Sequence, residues 1–285
     1  MIDMNLLIGK IKVFLGLILS ILILGTTSVF AQGGDQILDG IGETDLNARY
    51  IFRGDLNDWS RNNLHARMQG SGYRFIEDEQ FRNVLSLPGD REAYVSIPGG
   101  SLTGLESISV SAWVFLRSTD SGQVLFDFGK NDQVHFLAAP RGTKDGEGYQ
   151  VQVISGSDKY TASSPAIDVN RWNHLAVVVN VSSKTLSAYV NGRLVSEVRN
   201  VNIGLEDLFD LSSGNNRLYV GKSRTAGNSN LNARLHDFRI YRIALSGQQV
   251  ARIHANALNL DQPVVRTRSE QDRSLPRFPE STPQL

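Results

Sequence analysis

The sequence contains no cysteine in its 285 residues. This absence excludes disulfides, cysteine nucleophiles, thiolate metal sites and a lipid-modified N-terminal cysteine. An excess of one charge is also lacking, because 29 Lys+Arg balance 29 Asp+Glu, and a dedicated nucleic-acid binder would carry a basic stripe. No His-Glu-x-x-His, Gly-x-Ser-x-Gly or phosphate-binding loop occurs. The composition that remains, with 41% hydrophobic residues, is that of a globular protein without a nucleic-acid partner.

The sequence also lacks an apolar run long enough to span a membrane. Its main apolar run lies near the N-terminus, at residues 13–25. It follows Lys10 and Lys12, and it is shorter than the ~20 residues that a spanning helix needs. Val29 and Ala31 fit the small-residue positions before a signal-peptidase cleavage point. We therefore predict a Sec-type signal peptide at 1–31 and a bacterial protein that is secreted, periplasmic or at the cell surface. A membrane partner is expected only if this segment stays uncleaved.

The body of the chain reads as β-strands. Alternation is clearest at 107–116, where Ile108, Val110 and Ala112 share one face and Ser109 and Ser111 share the other. Further short runs are predicted as strands at 48–52, 84–87, 93–97, 124–128, 149–154, 175–181, 186–190, 193–198, 217–220 and 235–243. Because no helices alternate with them, the pattern favours an all-β sandwich.

Local signals mark one hairpin and one helix. Asn191-Gly192 tolerates the positive φ angles of a type I′ turn, which predicts a hairpin between 186–190 and 193–198. Ser246 and Gln249 have the Ser-x-x-Gln spacing of a capping box, followed by apolar residues at helical spacing, which predicts one short C-terminal helix. Residues 261–285 contain four prolines and little to bury, so they read as a disordered tail or linker after a single domain at 36–260.

Several segments, taken in order, resemble a laminin-G-like jelly roll of the concanavalin A-like lectin/glucanase superfamily. The matching stretches are 48–52, 58–63, 109–114, 126–129, 172–178, 186–192, 218–222 and 236–246. The resemblance implies an all-β, two-sheet antiparallel jelly-roll sandwich over nearly all of 40–258. The chain also resembles the N-terminal module of bacterial β-L-arabinofuranosidase-type proteins, whose catalytic domain would follow a linker like 261–285.

The same resemblance implies a structural calcium ion. In related jelly rolls, calcium often ties an early Asp-x-Ser loop to a late strand, and Asp58 and Asp237 stand at those positions. Asp55 or Asn57, together with loop carbonyls, could complete the oxygen shell. Arg61 stands where the family usually has glycine. The alternative is that Asp58 forms an Asx-turn and Asp237 pairs with a nearby arginine.

Aromatic side chains are the candidates for contact with a glycan. Trp113 and Trp172 lie in strand patterns and are expected to fill the core or the edge of the sandwich, whereas Trp59 lies between polar residues in a loop. Trp59, Tyr73, Tyr149 and Tyr160 are the predicted carbohydrate-binding residues. Trp59 could equally cap one end of the sandwich.

Catalytic residues are not predicted. Glycosidases of this fold place alternate carboxylates on one strand as Glu-x-Asp-x-Glu, and the chain has no such pattern. The sequence therefore predicts a secreted, non-catalytic, lectin-like module that binds a glycan or polysaccharide, as the accessory part of a plant-polysaccharide-degrading system. Any glycosidase activity would belong to an absent C-terminal domain. The alternative is a structural spacer or protein-interaction domain left from a truncated multidomain glycoside hydrolase, and the least favoured hypothesis is an unrecognised catalytic site.

Overall fold

The structure, a computed structural model, describes residues 45–260 apart from 91 and 132. The predicted signal peptide and tail lie outside these residues. Two antiparallel sheets pack face to face, and the predicted all-β jelly-roll sandwich is confirmed. Within the described residues, neither helix is both long and apolar enough to cross a bilayer.

The first sheet has eight strands, in the order β13-β12-β11-β6-β15-β4-β3 with β1 paired to β15. Their bounds are β1 Leu46–Tyr50, β3 Arg74–Asp78, β4 Arg82–Pro88, β6 Ile108–Leu116, β11 Trp172–Asn180, β12 Thr185–Val190, β13 Arg193–Arg199 and β15 Asn232–Tyr241.

The second sheet has seven strands, in the order β10-β9-β8-β7-β14-β5-β2. Their bounds are β2 Arg67–Gln69, β5 Tyr94–Ile97, β7 Phe126–Asn131, β8 Val134–Ala139, β9 Tyr149–Ser155, β10 Asp158–Ser164 and β14 Arg217–Val220. A 3-10 turn at Gly99–Leu102 and the helices α1 (Leu205–Leu208) and α2 (Gly247–Leu260) complete the fold.

The core lies between the sheets because alternate residues of each strand point inward. Phe126 and Phe128 of the second sheet lie edge-on to Phe238 of the first, with ring centroids 6.3 and 6.2 Å apart. The predicted apolar face of β6 packs in this core, since Ile108, Val110 and Ala112 belong to the cluster between the sheets and Ser109 and Ser111 do not.

The outer face of the eight-stranded sheet is covered where α2 crosses it. Val250 and Ile253 of α2 are buried against Ala176 and Val178, and the His254 ring stacks on Trp113 with centroids 5.3 Å apart. Because α2 covers this part of the sheet, Trp113, an apolar side chain on the outer face of β6, is shielded from solvent.

Both local predictions hold. Asn191 and Gly192 have φ angles of 49° and 78°, as a type I′ turn requires. Ser246 N–H donates to Gln249 Oε1 at 2.8 Å, and Gln249 N–H donates to Ser246 Oγ at 3.3 Å, so the capping box starts α2.

Candidate functional site

Trp59 is the most exposed large apolar side chain of the described residues, with 59% of its surface accessible. It lies in the loop 51–66, which connects β1 to β2 and therefore one sheet to the other. Arg61 and Asn63 nearby are also exposed. An exposed indole beside polar side chains can offer an apolar face and hydrogen bonds to one ligand.

Asp58 fixes the backbone of this loop. Its Oδ1 accepts the N–H groups of Arg49 and Ser60, both at 2.9 Å. Its Oδ2 accepts Leu64 N–H at 2.9 Å and Ser60 Oγ–H at 2.7 Å. The bond to Ser60 N–H is an Asx-turn, and together the four bonds fix the backbone on both sides of Trp59.

Arg49 of β1 connects the loop to the eight-stranded sheet. Its carbonyl oxygen accepts Trp59 N–H at 2.8 Å, in addition to the bond from its own N–H to Asp58. Its guanidinium donates to both carboxylate oxygens of Asp237 on β15, at 2.8 and 3.2 Å. One residue therefore holds Trp59 and Asp58 through its backbone and Asp237 through its side chain.

Asp237 owes its position to an irregularity in β15. The register of β15 against β6 shifts between His236 and Arg239, and Asp237 has a φ angle of 49°. A bulge of this kind re-aims a side chain: Leu235 and Phe238 both point into the core, and Asp237 is left on the outer face.

On that face Asp237 pairs with two arginines. Arg239 donates to its oxygens at 3.0 and 2.6 Å, and Arg49 lies directly opposite Arg239 across the β1–β15 pair. Burial by itself would raise the pKa of Asp237, but the charges and hydrogen bonds of Arg239 and Arg49 hold it well below its usual value. The carboxylate stays ionised in a site with 3% exposure.

The predicted calcium ligands do not fit a calcium ion in this arrangement. Calcium takes six to eight oxygen ligands, but the oxygens of Asp58 and Asp237 are occupied by N–H and O–H donors, and Arg49 brings positive charge between them. Asp55 accepts from the backbone and side-chain N–H groups of Asn57, at 3.1 and 2.9 Å. Within the described residues, no group of three or more His, Asp and Glu side chains is arranged to hold a metal. The geometry is the Asx-turn and arginine pair of the alternative hypothesis, and calcium stays a prediction.

The other predicted glycan-binding aromatics lie in different surroundings. Tyr73 is 38% exposed and stands edge-on to Phe75, with centroids 6.5 Å apart. Tyr160 is half-buried against the core, and its hydroxyl oxygen accepts Asn202 N–H at 3.4 Å. Tyr149 has 0% exposure, so it cannot reach a ligand. Its alternation within β9 points it between the sheets rather than outward, which corrects its inclusion in the glycan-binding set.

A second polar cluster lies on the outer face of the seven-stranded sheet, and we did not predict it. Asp127 of β7 accepts from Arg224 Nη2 at 3.2 Å and lies 2.9 Å from His135 Nδ1. Burial raises the pKa of Asp127, but the hydrogen bond and charge of His135 and the charge of Arg224 outweigh burial and lower it. The sequence did contain a signal for this cluster: Asp127 is a carboxylate that lies between Phe126 and Phe128, two buried strand residues.

Comparison with known proteins identifies the family of the sandwich. A laminin G-type family model, described as Concanavalin A-like lectin/glucanases superfamily, matches residues 89–251, which is more than half of the chain. No curated protein matches the chain.

Solved structures share the fold at low identity. Domain 4 of AbnA, a GH43 extracellular arabinanase from Geobacillus stearothermophilus solved with arabinotriose, is 23% identical with a TM-score of 0.61, over 73% of this chain and 97% of that one. The binding domain of botulinum neurotoxin serotype C1 is 15% identical with a TM-score of 0.56, over 75% of this chain and 52% of that one. The chain thus spans about half the length of the neurotoxin domain.

Proposed function

The chain belongs to the concanavalin A-like lectin/glucanases superfamily, and from this we propose that it is a non-catalytic module that binds carbohydrate. The observation that carries the proposal is Trp59, a 59% exposed indole on a loop that Asp58 and Arg49 hold in place. Because the loop is already ordered, little conformational entropy is lost when a ligand stacks on the ring.

The chemistry around Trp59 suits a sugar. The flat C–H face of a sugar ring can stack on the indole, while the hydroxyl groups exchange hydrogen bonds with exposed polar side chains. Arg61 and Asn63 are exposed on the same loop, and Tyr73, also exposed, is a second aromatic for the same role.

The finer proposal is that the module is secreted and serves a system that degrades plant polysaccharide. It rests on the predicted signal peptide and on the resemblance to the N-terminal module of β-L-arabinofuranosidase-type proteins. It also rests on the arabinotriose with which the similar arabinanase domain was solved. Any hydrolytic activity would belong to another domain.

A protein-interaction module is the second candidate, favoured by one feature. Leu194 and Val195 are consecutive, 51% and 39% exposed, and lie on β13, which is the edge strand of its sheet. An exposed edge with apolar side chains can pair with another chain.

Affinity electrophoresis of the full chain tests the proposal, with gels that contain arabinan, pectin, xylan or host glycans. We expect slower migration in one of these polymers, and Trp59→Ala should weaken that binding by about tenfold or more, since a truncated central Trp costs roughly 2 kcal/mol. Leu194→Ala is the matched control, because it also removes an exposed apolar side chain, and it should migrate as the wild type does.

Two results would count against the proposal. Equal mobility of the wild type in every polymer would favour the interaction module. Unchanged retardation of Trp59→Ala would show that the glycan binds elsewhere.

A further inference from the structure

A groove of about 400 Å³ lies on the outer face of the eight-stranded sheet, across β11, β12 and β13. Small-molecule sites are typically about 300–1,000 Å³, so the groove is large enough for one sugar unit. It is separate from the Trp59 loop, which packs on β1 at another part of the sheet.

Strand pairing places the polar groups of the groove on one face. Val178 pairs with Ser187 and Ser187 with Glu197, while Asn180 pairs with Thr185 and Thr185 with Arg199. Directly paired residues point to the same side of an antiparallel sheet, so these two cross-strand rows form the floor of the groove.

The wall of the groove is held rigidly. Ser109 of β6 donates to the carbonyl of Ile243 at 2.8 Å and accepts Leu245 N–H at 2.9 Å, which ties the segment before α2 to the sheet. Leu245 and the ring of Tyr189 line the groove, and both are buried. The groove therefore has an apolar side against a polar floor.

The polar groups are oriented before any ligand arrives. Arg199 Nε donates to Glu197 Oε1 at 2.9 Å, and Ser187 Oγ donates to Glu197 Oε2 at 3.3 Å. Asn180 Oδ1 accepts Ser183 N–H at 3.0 Å, which leaves the Asn180 amino group to donate to a ligand.

The chemistry selects a neutral, polyhydroxylated ligand. Hydroxyl, amide, carboxylate and guanidinium groups lie side by side and can both donate to and accept from vicinal hydroxyls. The lining carries one acidic and one basic side chain, Glu197 and Arg199, so the groove has no net charge that would favour a ligand of one sign. A single carboxylate does not provide the pair that glycoside hydrolysis requires.

We propose that this groove is a second carbohydrate-binding site, which takes one neutral sugar unit between Tyr189, Leu245 and the Glu197–Arg199 pair. The proposal rests on the carbohydrate-binding role proposed above but not on Trp59. Two sites on different faces would let one module hold two glycan chains, or two parts of the same chain.

Amide chemical-shift mapping of the full chain tests the second site, with methyl glycosides of arabinose, xylose, galactose and glucose as probes. We expect saturable shifts at Ser187 and Glu197 with one probe. These shifts should persist in Trp59→Ala and should require about tenfold more sugar in the Glu197→Ala/Arg199→Ala variant. The variant removes both members of the ion pair, so that no charge is left unpaired, and it should therefore fold.

The matched control is Arg74→Ala/Glu77→Ala, which removes the same two side-chain types from exposed positions of β3, the strand at the other edge of the sheet. It should bind as the wild type does. Shifts confined to the Trp59 loop would overturn the groove while the proposed function stands. Shifts at the groove that survive in the Glu197/Arg199 variant would overturn it too, and so would an absence of shifts at the groove with every probe. The proposed function falls only if the wild type also migrates equally in every polymer gel.

Discussion

Asp237 and Asp127 are both buried aspartates on outer sheet faces, but their partners differ. Asp237 pairs with two guanidinium groups, those of Arg49 and Arg239. Asp127 pairs with one guanidinium, that of Arg224, and with the imidazole of His135. The first carboxylate is held by two guanidinium charges, and the second by one guanidinium charge and a contact with an imidazole nitrogen.

The β1–β15 pair depends on a single carboxylate more than the region around Asp127 does. Two arginines on paired strands β1 and β15 would repel each other without Asp237, and one of them also holds the Trp59 loop. Around Asp127, Ser223 Oγ–H and Arg224 N–H donate to Oδ2 at 3.1 and 2.9 Å, and these neutral groups would survive loss of the charge.

Substituting the two aspartates should give the largest difference. Asp237→Asn removes the negative charge that Arg49 and the buried Arg239 share, and it should lower the free energy of unfolding by about 3–5 kcal/mol. Asp127→Asn removes the carboxylate partner of one guanidinium rather than two, so we expect about 1–3 kcal/mol. Urea denaturation at neutral pH measures both.

Asp168→Asn is the control, since Asp168 is 63% exposed beside Arg171, and exposed changes of this kind stay within about 0.5 kcal/mol. A larger loss of stability in Asp127→Asn than in Asp237→Asn would show that the guanidinium groups of Arg49 and Arg239 do not depend on Asp237.

Acid should affect the eight-stranded face before the seven-stranded face. Burial, together with His254 and Arg239, lowers the pKa of His174 to about 3 despite Asp237. Burial, with Arg53, Arg49 and Arg239, lowers the pKa of His236 to about 4, again despite Asp237. The ordinary value is 6.5, so the unfolded chain gains these protons first, and stability falls as the pH drops below about 6.5, by about 1.4 kcal/mol per pH unit for each histidine.

The Asp127 cluster has its own pH window. The folded pKa of Asp127 lies below its ordinary value of 3.8, so its contribution to stability is complete above that pH and is lost only at lower pH. His174→Gln should therefore flatten the stability curve between pH 6.5 and 4, and Asp127→Asn should change its slope only below about 4. Equal slopes for wild type and His174→Gln in the upper window would contradict the assignment.

The sequence predicts local structure well and the charge clusters poorly. Asn191-Gly192 and Ser246-x-x-Gln249 act within a few residues, and both behave as predicted. The sequence prediction missed four strands. β8 is largely apolar on both faces, β2 has only three residues, and β3 and β10 are edge strands rich in polar residues. Asp58 was recognised as important, but Arg49 was not, because its bond to Asp237 joins residues 188 positions apart. Only the pairing of β1 with β15 brings them together.

Arg49 links the Asp237 cluster to the proposed glycan site, which gives a smaller and more specific prediction. Arg49→Met keeps the Asp237–Arg239 pair, so we expect a loss of about 1–3 kcal/mol in stability and faster amide exchange at Trp59 and Ser60. Glycan affinity should fall with the exchange protection, because a mobile loop must be ordered on binding.

Arg171→Met, at a 60% exposed arginine, controls for loss of an arginine at the surface. Arg49→Lys keeps the charge but not the two-pronged contact and should fall between wild type and Arg49→Met. Unchanged exchange at Trp59 in Arg49→Met would show that Asp58 and the backbone of residue 49 hold the loop without the guanidinium.

Calcium should have the smallest effect of all. A site occupied at a hundred times its dissociation constant would add about 2.7 kcal/mol to stability. Here the guanidinium of Arg49 already provides the positive charge beside Asp237, and Asp58 already accepts four hydrogen bonds. Millimolar calcium or a chelator should therefore change the Tm by less than roughly 1 °C. A rise that saturates with calcium, and that Asp58→Asn abolishes, would instead mean that Arg49 leaves Asp237 when the ion binds. In that case the calcium ligands first inferred from the sequence would be correct, and the arginine pair would belong to the calcium-free state.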